Sequence, residues 1–308
     1  MRELATIYLR GLAMGVADLI PGVSGGTIAL VTGIYDRLIG AFAAMDLNAL
    51  RLFLRGDWRG AWRAVDGSFL VSLLCGIATS VLSLASVLAH LLETAPHLVW
   101  ALFMGLILAS ILHMVRSIAG WRPIHTLWLL VGAVVAWWLT HLGAVEVNAT
   151  PGWVALCGML AICAWILPGI SGSFILLVLG MYEHIIGAVR SLDFPVLLTF
   201  AFGCGCGLLA FTHVLRWGLR HYHGPIMGIL TGFLVGSLPL LWPWKLVTAY
   251  AVSPSGRRHA IEQELLMPRQ YAELAGQDPQ LIACVLLAVT GFLLVLALEL
   301  LGSRGKVR

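Results

Sequence analysis

Charge is what this chain has least of. Only 11% of its 308 residues are Asp, Glu, Lys or Arg, against 60% hydrophobic residues and a mean hydropathy of +0.93. A soluble domain carries about 25% charged residues, so a water-soluble globule is excluded and the chain is built to sit in lipid. The net charge is a small +4, and no nucleic-acid partner is expected. Metal ligands are scarce too. The six cysteines (Cys75, Cys157, Cys163, Cys204, Cys206 and Cys284) all lie in apolar stretches, and none is spaced with histidines as a metal site requires. They read as small packing residues, Cys204-Gly-Cys206 included. There is no Gly-Lys-Ser/Thr phosphate loop and no Arg/His constellation of a lipid phosphatase, and intramembrane acids are too few to hold a metal. An enzyme is therefore not expected, and no metal or cofactor is implied. A cleaved leader is not expected either, because Glu3, Arg10 and Asp18 interrupt the first apolar stretch.

Long apolar runs are what is present. Six of them, roughly 69–92, 98–118, 124–145, 195–218, 224–241 and 281–302, each approach the roughly 20 residues that cross a bilayer as a helix. Two further segments, 4–40 and 153–190, are too long for one span and too short for two with a turn. Both carry the same helix breaker. From Pro21 to Ala41 and from Pro168 to Ala188 the sequences agree at 12 of 21 positions, 147 residues apart. Pro21 and Pro168 each remove a helix donor, and Gly22 and Gly169 loosen the backbone beside them. The expected structure is a pair of half-helices that meet inside the membrane as a re-entrant hairpin, a break tolerated only where protein or a polar cavity surrounds it.

Lys and Arg test that layout. If both motif segments return to their own side and the six runs cross, 14 basic residues fall on one side and 5 on the other, the 14 marking the cytoplasm. Both termini are then cytoplasmic, the first hairpin enters from inside and the second from outside. The expected fold is all-α and polytopic, an inverted repeat in which each half is a re-entrant hairpin plus three transmembrane helices. Residues 1–145 form the first half, with a basic amphipathic insert at 46–66. Residues 146–308 form the second, with an external loop at 242–280. "MGLILAS" (104–110) also aligns with "TGFLVGS" (231–237). Inverted repeats with broken helices belong to secondary transporters, with sites near the midplane where the half-helices meet.

After each break a hydroxyl- and glycine-rich stretch opens the next half-helix: Ser24, Gly25, Gly26 and Thr27 in the first copy, Ser171, Gly172 and Ser173 in the second. Two such N-termini facing each other would cradle a phosphate or carboxylate. Capping by Ser and Thr and close packing at Gly is the other reading. Arg10 is a candidate guiding cation at the cytoplasmic mouth, or an interfacial anchor. Asp18, three residues before the first break, either carries a coupling proton or caps freed backbone N–H groups. Asp36, Arg37 and Glu183 are secondary candidates, a structural role being favoured for the two acids. Arg51, Arg55, Arg59 and Arg63 recur every four residues, one basic helical stripe flanked by Phe53, Trp58 and Trp62. His221-Tyr222-His223 reads as a solvated turn.

The stretches "RGLAMGVADLIPGVSGGTIALVTGIYDRLIGA" and "LPGISGSFILLVLGMYEHII" resemble the bacterial polyprenyl-phosphate (undecaprenyl-phosphate) translocase family, first catalogued as membrane proteins of unknown function. The resemblance runs from Arg10 to about Leu301. It implies a flippase that returns undecaprenyl phosphate, the carrier lipid of cell-wall and peptidoglycan assembly, from the outer to the inner leaflet of the cytoplasmic (inner) membrane. The motif positions it carries over are Asp18, Pro21, Gly22, Ser24, Gly25, Gly26 and Thr27, then Pro168, Gly169, Ser171, Gly172 and Ser173. Trp165 stands in the second copy where the first has Asp18. Coupling to a proton or sodium ion, association with copies of the same chain, transport of another anion, an enzyme acting on the lipid phosphate and a non-transporting scaffold all stay open at this point.

Overall fold

The computed structural model describes residues 2–19, 24–118, 120–142, 148–252 and 258–304. The first half begins with α1 (Arg2–Asp18), α2 (Gly25–Val31) and α3 (Tyr35–Ala43), followed by two short helices, α4 (Leu47–Leu54) and α5 (Trp58–Ala64). Three long helices complete it: α6 (Gly67–Thr94), α7 (Pro96–Ser117) and α8 (Pro123–Thr140). The second half opens in the same way with α9 (Pro151–Ile166), α10 (Gly172–Val178) and α11 (Tyr182–Ser191), then α12 (Phe194–His221) and α13 (His223–Ser237). A two-stranded antiparallel sheet, β1 (Lys245–Val252) and β2 (Arg258–Leu265), and α14 (Pro268–Ala275) precede the last helix, α15 (Leu281–Arg304).

This is an all-α polytopic membrane protein with one small β-hairpin. Among the described residues five helices are long and apolar enough to cross a bilayer: α6, α7, α8, α12, and α13 with its 3-10 extension to Leu241. Large apolar side chains such as Leu82, Val134, Leu198 and Phe202 lie exposed along them, as a lipid-facing surface requires.

The halves keep the same spacing. α2 and α10 start at Gly25 and Gly172, 147 residues apart, and α6 and α12 start at Gly67 and Phe194, 127 apart, each 28 residues long. Helix partners correspond as well. α1 packs most extensively on α6 and α9 on α12, while α7 packs on α15 and α13 on α8. Gly76 brings α6 against the Tyr8 carbonyl of α1, and Gly203 brings α12 against the Ala155 carbonyl of α9, so closely that a Cβ at either glycine would strike backbone. With no hydrophobic drive between helices in lipid, such close approach supplies the dispersion contact that holds them.

Three expectations change. The half-helix after each break does not run on to residue 40 or 190. It stops after seven residues, and the chain bends by 117° into α3 and by 111° into α11. The cause is a glycine in the left-handed region, Gly33 (φ +72) and Gly180 (φ +68). At the first, Gly33 N–H donates to the Leu30 carbonyl and Ile34 N–H to the Ala29 carbonyl. At the second, Gly180 and Met181 donate to Leu177 and Leu176. These are paired Schellman caps, each followed by a buried apolar residue.

The basic insert is two helices rather than one stripe, because Gly56 (φ +81) and the N-cap Asp57 end α4 and start α5. The 242–280 loop is ordered in its described parts. Trp244, Leu266 and Tyr271 form a small core there with Ala101 and Cys284. Trp242 Nε1 donates to the Leu266 carbonyl at 2.8 Å and Trp244 Nε1 to that of Pro279 at 2.9 Å. His221, Tyr222 and His223 form the exposed link between α12 and α13.

Candidate anion site at the paired helix breaks

Leu167 precedes Pro168 and takes an extended backbone, so α9 stops at Ile166 and leaves its last carbonyls without helical donors. In lipid each unsatisfied group costs several kcal/mol, so partners have to be found. The first copy supplies them. Ser24 Oγ donates to the Trp165 carbonyl at 2.8 Å, and the Tyr35 hydroxyl donates to the Ile166 carbonyl at 3.3 Å. In return the Gly169 N–H, freed on the other side of Pro168, donates to Thr27 Oγ1 at 3.2 Å. The two breaks thus meet and satisfy each other.

Asp18 and Trp165, at corresponding places in the repeat, also meet. Asp18 Oδ1 accepts from the Gly25 N–H at 2.7 Å and Oδ2 from Trp165 Nε1 at 3.0 Å. Ser24 caps α2 by accepting from the Gly26 N–H at 3.1 Å. The N–H groups of Gly25, Gly26 and Thr27 at the start of α2 are therefore engaged by the chain's own oxygen atoms, the Asp18 carboxylate among them. A Cβ at Gly25 would come within 2.8 Å of that carboxylate, and one at Gly26 would strike the Ile166 carbonyl.

The second copy differs. Ser171 is the N-cap of α10 but makes no side-chain cap. Its Oγ lies 2.8 Å from Ser173 Oγ, the two hydroxyls sharing a hydrogen bond. Beside them is a cavity of about 10 Å³, room for roughly one water, lined by Gly169, Ile170, Ser171 and Phe174 together with Thr140, Ser237 and Leu240. Ser24, Thr27 and Ser171 are 1%, 0% and 6% exposed, whereas Ser173 is exposed. Gly169 has φ +84 because the chain turns sharply there against Phe233 and Leu234. A Cβ at Gly172 would come within 2.6 Å of the Ala161 carbonyl.

The geometry gathers Asp18, Ser24, Gly25, Gly26, Thr27 and Gly169 into one hydrogen-bonded knot, with Ser171, Gly172 and Ser173 on its flank. Pro21 and Gly22 lie outside the described residues. Arg10 is not drawn into the knot. It sits half-exposed on α1, near enough to Arg37 for their charges to repel. Arg37 itself clamps α3, with Glu3 at 2.8 Å and Asp66 at 2.6 Å, and lies over the Phe69 ring at 4.5 Å. Asp36 and Glu183 start helices rather than end half-helices as their place after each break suggests. Each sits in the first turn of a helix, α3 and α11, where a negative charge suits the dipole.

Trp165, Tyr35, Thr140 and Ser237 were not among the expected site residues. The alignment of 104–110 with 231–237 does end on Ser110 and Ser237, which was the available signal for one of them.

A family model described as undecaprenyl phosphate translocase-like matches residues 14–259. The chain is 43% identical over 299 residues, 97% of each sequence, to a protein of Vibrio cholerae serotype O1 named polyprenyl-phosphate transporter. A Staphylococcus aureus protein of the same name is 31% identical over 254 residues, 76% of this chain and 85% of that one. Both names are those of transporters rather than enzymes. No solved structure gives a significant match.

Proposed function

The chain belongs to the undecaprenyl phosphate translocase-like family, and from that premise we propose that it carries polyprenyl phosphate, undecaprenyl phosphate above all, from the outer to the inner leaflet of the bacterial cytoplasmic membrane. Transport proceeds by alternating access between two inverted halves, residues 1–145 and 146–308. The matching element spacing and the corresponding helix partners support the repeat, and the 14-to-5 division of basic residues supports cytoplasmic termini.

The observation that carries the phosphate reading is the Asp18 carboxylate at the start of α2, bound by Gly25 N–H at 2.7 Å. A place that holds one anion by backbone donors holds another of similar size. The lipid phosphate is received at Ser171, Gly172 and Ser173, whose hydroxyls need only turn from each other. It then displaces Asp18 from Ser24, Gly25, Gly26 and Thr27. Its arrival loosens the cross-bonds between the breaks and lets the halves exchange conformations. The isoprenoid tail stays in lipid throughout.

An ionised carboxylate released inside the hydrocarbon costs roughly 2.5–3.5 kcal/mol or more. Asp18 therefore takes up a proton when the phosphate displaces it and returns the proton on the other side, which couples transport to the proton gradient. A sodium ion at the freed carboxylate is the competing form of coupling.

Leaflet-resolved transport in liposomes tests the substrate, comparing undecaprenyl phosphate with its diphosphate and with phospholipids. The monophosphate moves fastest on this reading, and equal rates for phospholipid would contradict it. Topology is tested by single cysteines: Asp46→Cys reacts with a cytoplasmic reagent and Asp193→Cys with an external one. Labelling of position 193 from inside would remove the inverted repeat.

A further inference from the structure

The helical insert between α3 and α6 takes no part in that cycle. Asp46 caps α4 by accepting from the N–H groups of Asn48 and Ala49 at 2.8 and 3.0 Å, and Asp57 caps α5 by accepting from Gly60 N–H at 2.8 Å. Between the two helices lies an open groove of about 520 Å³ whose walls include Leu50, Phe53, Trp58 and Trp62. Leu47 and Leu54, 70% and 74% exposed, extend the apolar surface. So much exposed apolar area is costly in water and natural at a bilayer surface.

The hairpin is fastened where a span begins. Trp62 Nε1 donates to Ser68 Oγ at 3.0 Å, and the Trp62 ring packs against Gly67, the first residue of the 28-residue apolar helix α6. That attachment holds the groove at the level where α6 enters the lipid.

Arg51 on α4 and Arg55 at its C-cap, and Arg59 and Arg63 on α5, are all exposed. Each pair is spaced four residues apart, so each shares a helix face, and Arg51 and Arg59 directly follow the groove residues Leu50 and Trp58, about 100° around the helix. No guanidinium of the four has an ion pair or hydrogen bond among the described residues, whereas that of Arg37 nearby has two carboxylates. Guanidinium groups match phosphate oxygens in bidentate fashion, and an apolar groove between them matches a hydrocarbon chain.

We propose that the α4–α5 hairpin is a binding site for an anionic phospholipid of its own leaflet. The four arginines hold headgroup phosphates, and the groove lined by Leu50, Phe53, Trp58 and Trp62 takes an acyl chain. The site is separate from the helix breaks and independent of what the protein transports.

The test is hydrogen exchange on the full chain in nanodiscs of phosphatidylcholine alone and of phosphatidylcholine mixed with phosphatidylglycerol. Amides of residues 47–64 exchange at least about tenfold more slowly in the anionic discs, since several arginines add their attraction near a charged surface. Exchange within α12 is the same in both. High salt reverses the protection, and R51Q/R55Q/R59Q/R63Q abolishes it, while the corresponding four-lysine variant retains part of it. Equal exchange of 47–64 in the two kinds of disc would overturn the proposal without recourse to any variant. So would protection that survives in the glutamine variant. Protection by undecaprenyl phosphate in otherwise zwitterionic discs, with none from phosphatidylglycerol, would reassign the groove to the transported lipid and equally overturn it.

Discussion

At the first helix break the Ser24 hydroxyl and the N–H groups of Gly25, Gly26 and Thr27 all have acceptors within the protein. At the second, the same Pro-Gly-x-Ser-Gly leaves Ser171 and Ser173 bonded only to each other beside a cavity of about 10 Å³. One repeat position sets much of this difference. Asp18 reaches forward to the Gly25 N–H, whereas Trp165, its counterpart, cannot accept a hydrogen bond and instead donates to Asp18. A duplicated motif thus has one end closed by a carboxylate and another whose two hydroxyls share a hydrogen bond beside a cavity.

The comparison breaks most severely at Asp18. Asp18→Ala leaves the Gly25 N–H and the Trp165 indole N–H without an acceptor, at about 1–3 kcal/mol each. A loss of about 2–5 kcal/mol is expected in thermal unfolding of the purified protein in detergent. Trp165→Phe removes one donor, keeps a smaller aromatic ring, and is expected to cost about half of that. Equal midpoints for Asp18→Ala and the parent would mean that the first break is not closed by its own carboxylate.

Thr27 comes next. Thr27→Val keeps the shape and removes the acceptor of the buried Gly169 N–H, for an expected loss of about 1–3 kcal/mol in the same measurement. The repeat counterpart is Phe174, which has no such bond to lose, so Phe174→Leu is the milder change.

A third pair should show no asymmetry. Gly33 and Gly180 both lie in the left-handed region, at φ +72 and +68. Gly33→Ala and Gly180→Ala are each expected to cost about 1–2 kcal/mol, the penalty of an L-residue there. Clearly unequal costs would show that the two Schellman turns are not equivalent.

The last prediction concerns the β-hairpin of the second half. Lys245, at the start of the β-hairpin, lies over the Trp100 ring at 3.9 Å, and burial pushes its ammonium down from 10.5 to about 7. The unfolded chain therefore binds the extra proton between about pH 7 and 10.5 and the folded chain does not. Lys245 thus contributes stability that rises as pH rises through that window. Lys245→Met should remove this contribution, seen as a flatter dependence of unfolding midpoint on pH.

Much of this was legible in the sequence because lipid leaves few alternatives. Apolar runs of span length gave the long helices, and the doubled Pro-Gly located both breaks. The bends at Gly33 and Gly180 were missed although the glycines recur in both copies, since a Schellman turn inside an apolar run leaves the hydropathy unchanged. Asp57 and Gly56 carried the signal that divides α4 from α5, but a four-residue arginine spacing suggested one continuous helix. The partnership of Asp18 with Trp165 was not legible. Their equivalence by repeat was visible, yet only the packing of one break on the other brings residues 147 positions apart within 3.0 Å. The same holds for Thr27 and Gly169, where the need for a partner follows from Pro168 but the identity of the partner follows from tertiary contact.

The central claim is that a lipid phosphate is received at the second break. The most direct measurement is the affinity of the protein in nanodiscs for undecaprenyl phosphate, parent against Ser171→Ala/Ser173→Ala. Losing hydroxyl donors to a charged group costs about 1–3 kcal/mol, so binding should weaken by about 5- to 150-fold while the thermal midpoint stays near that of the parent. Parental affinity in the double variant, with parental transport, would contradict the account and place the phosphate elsewhere in the fold.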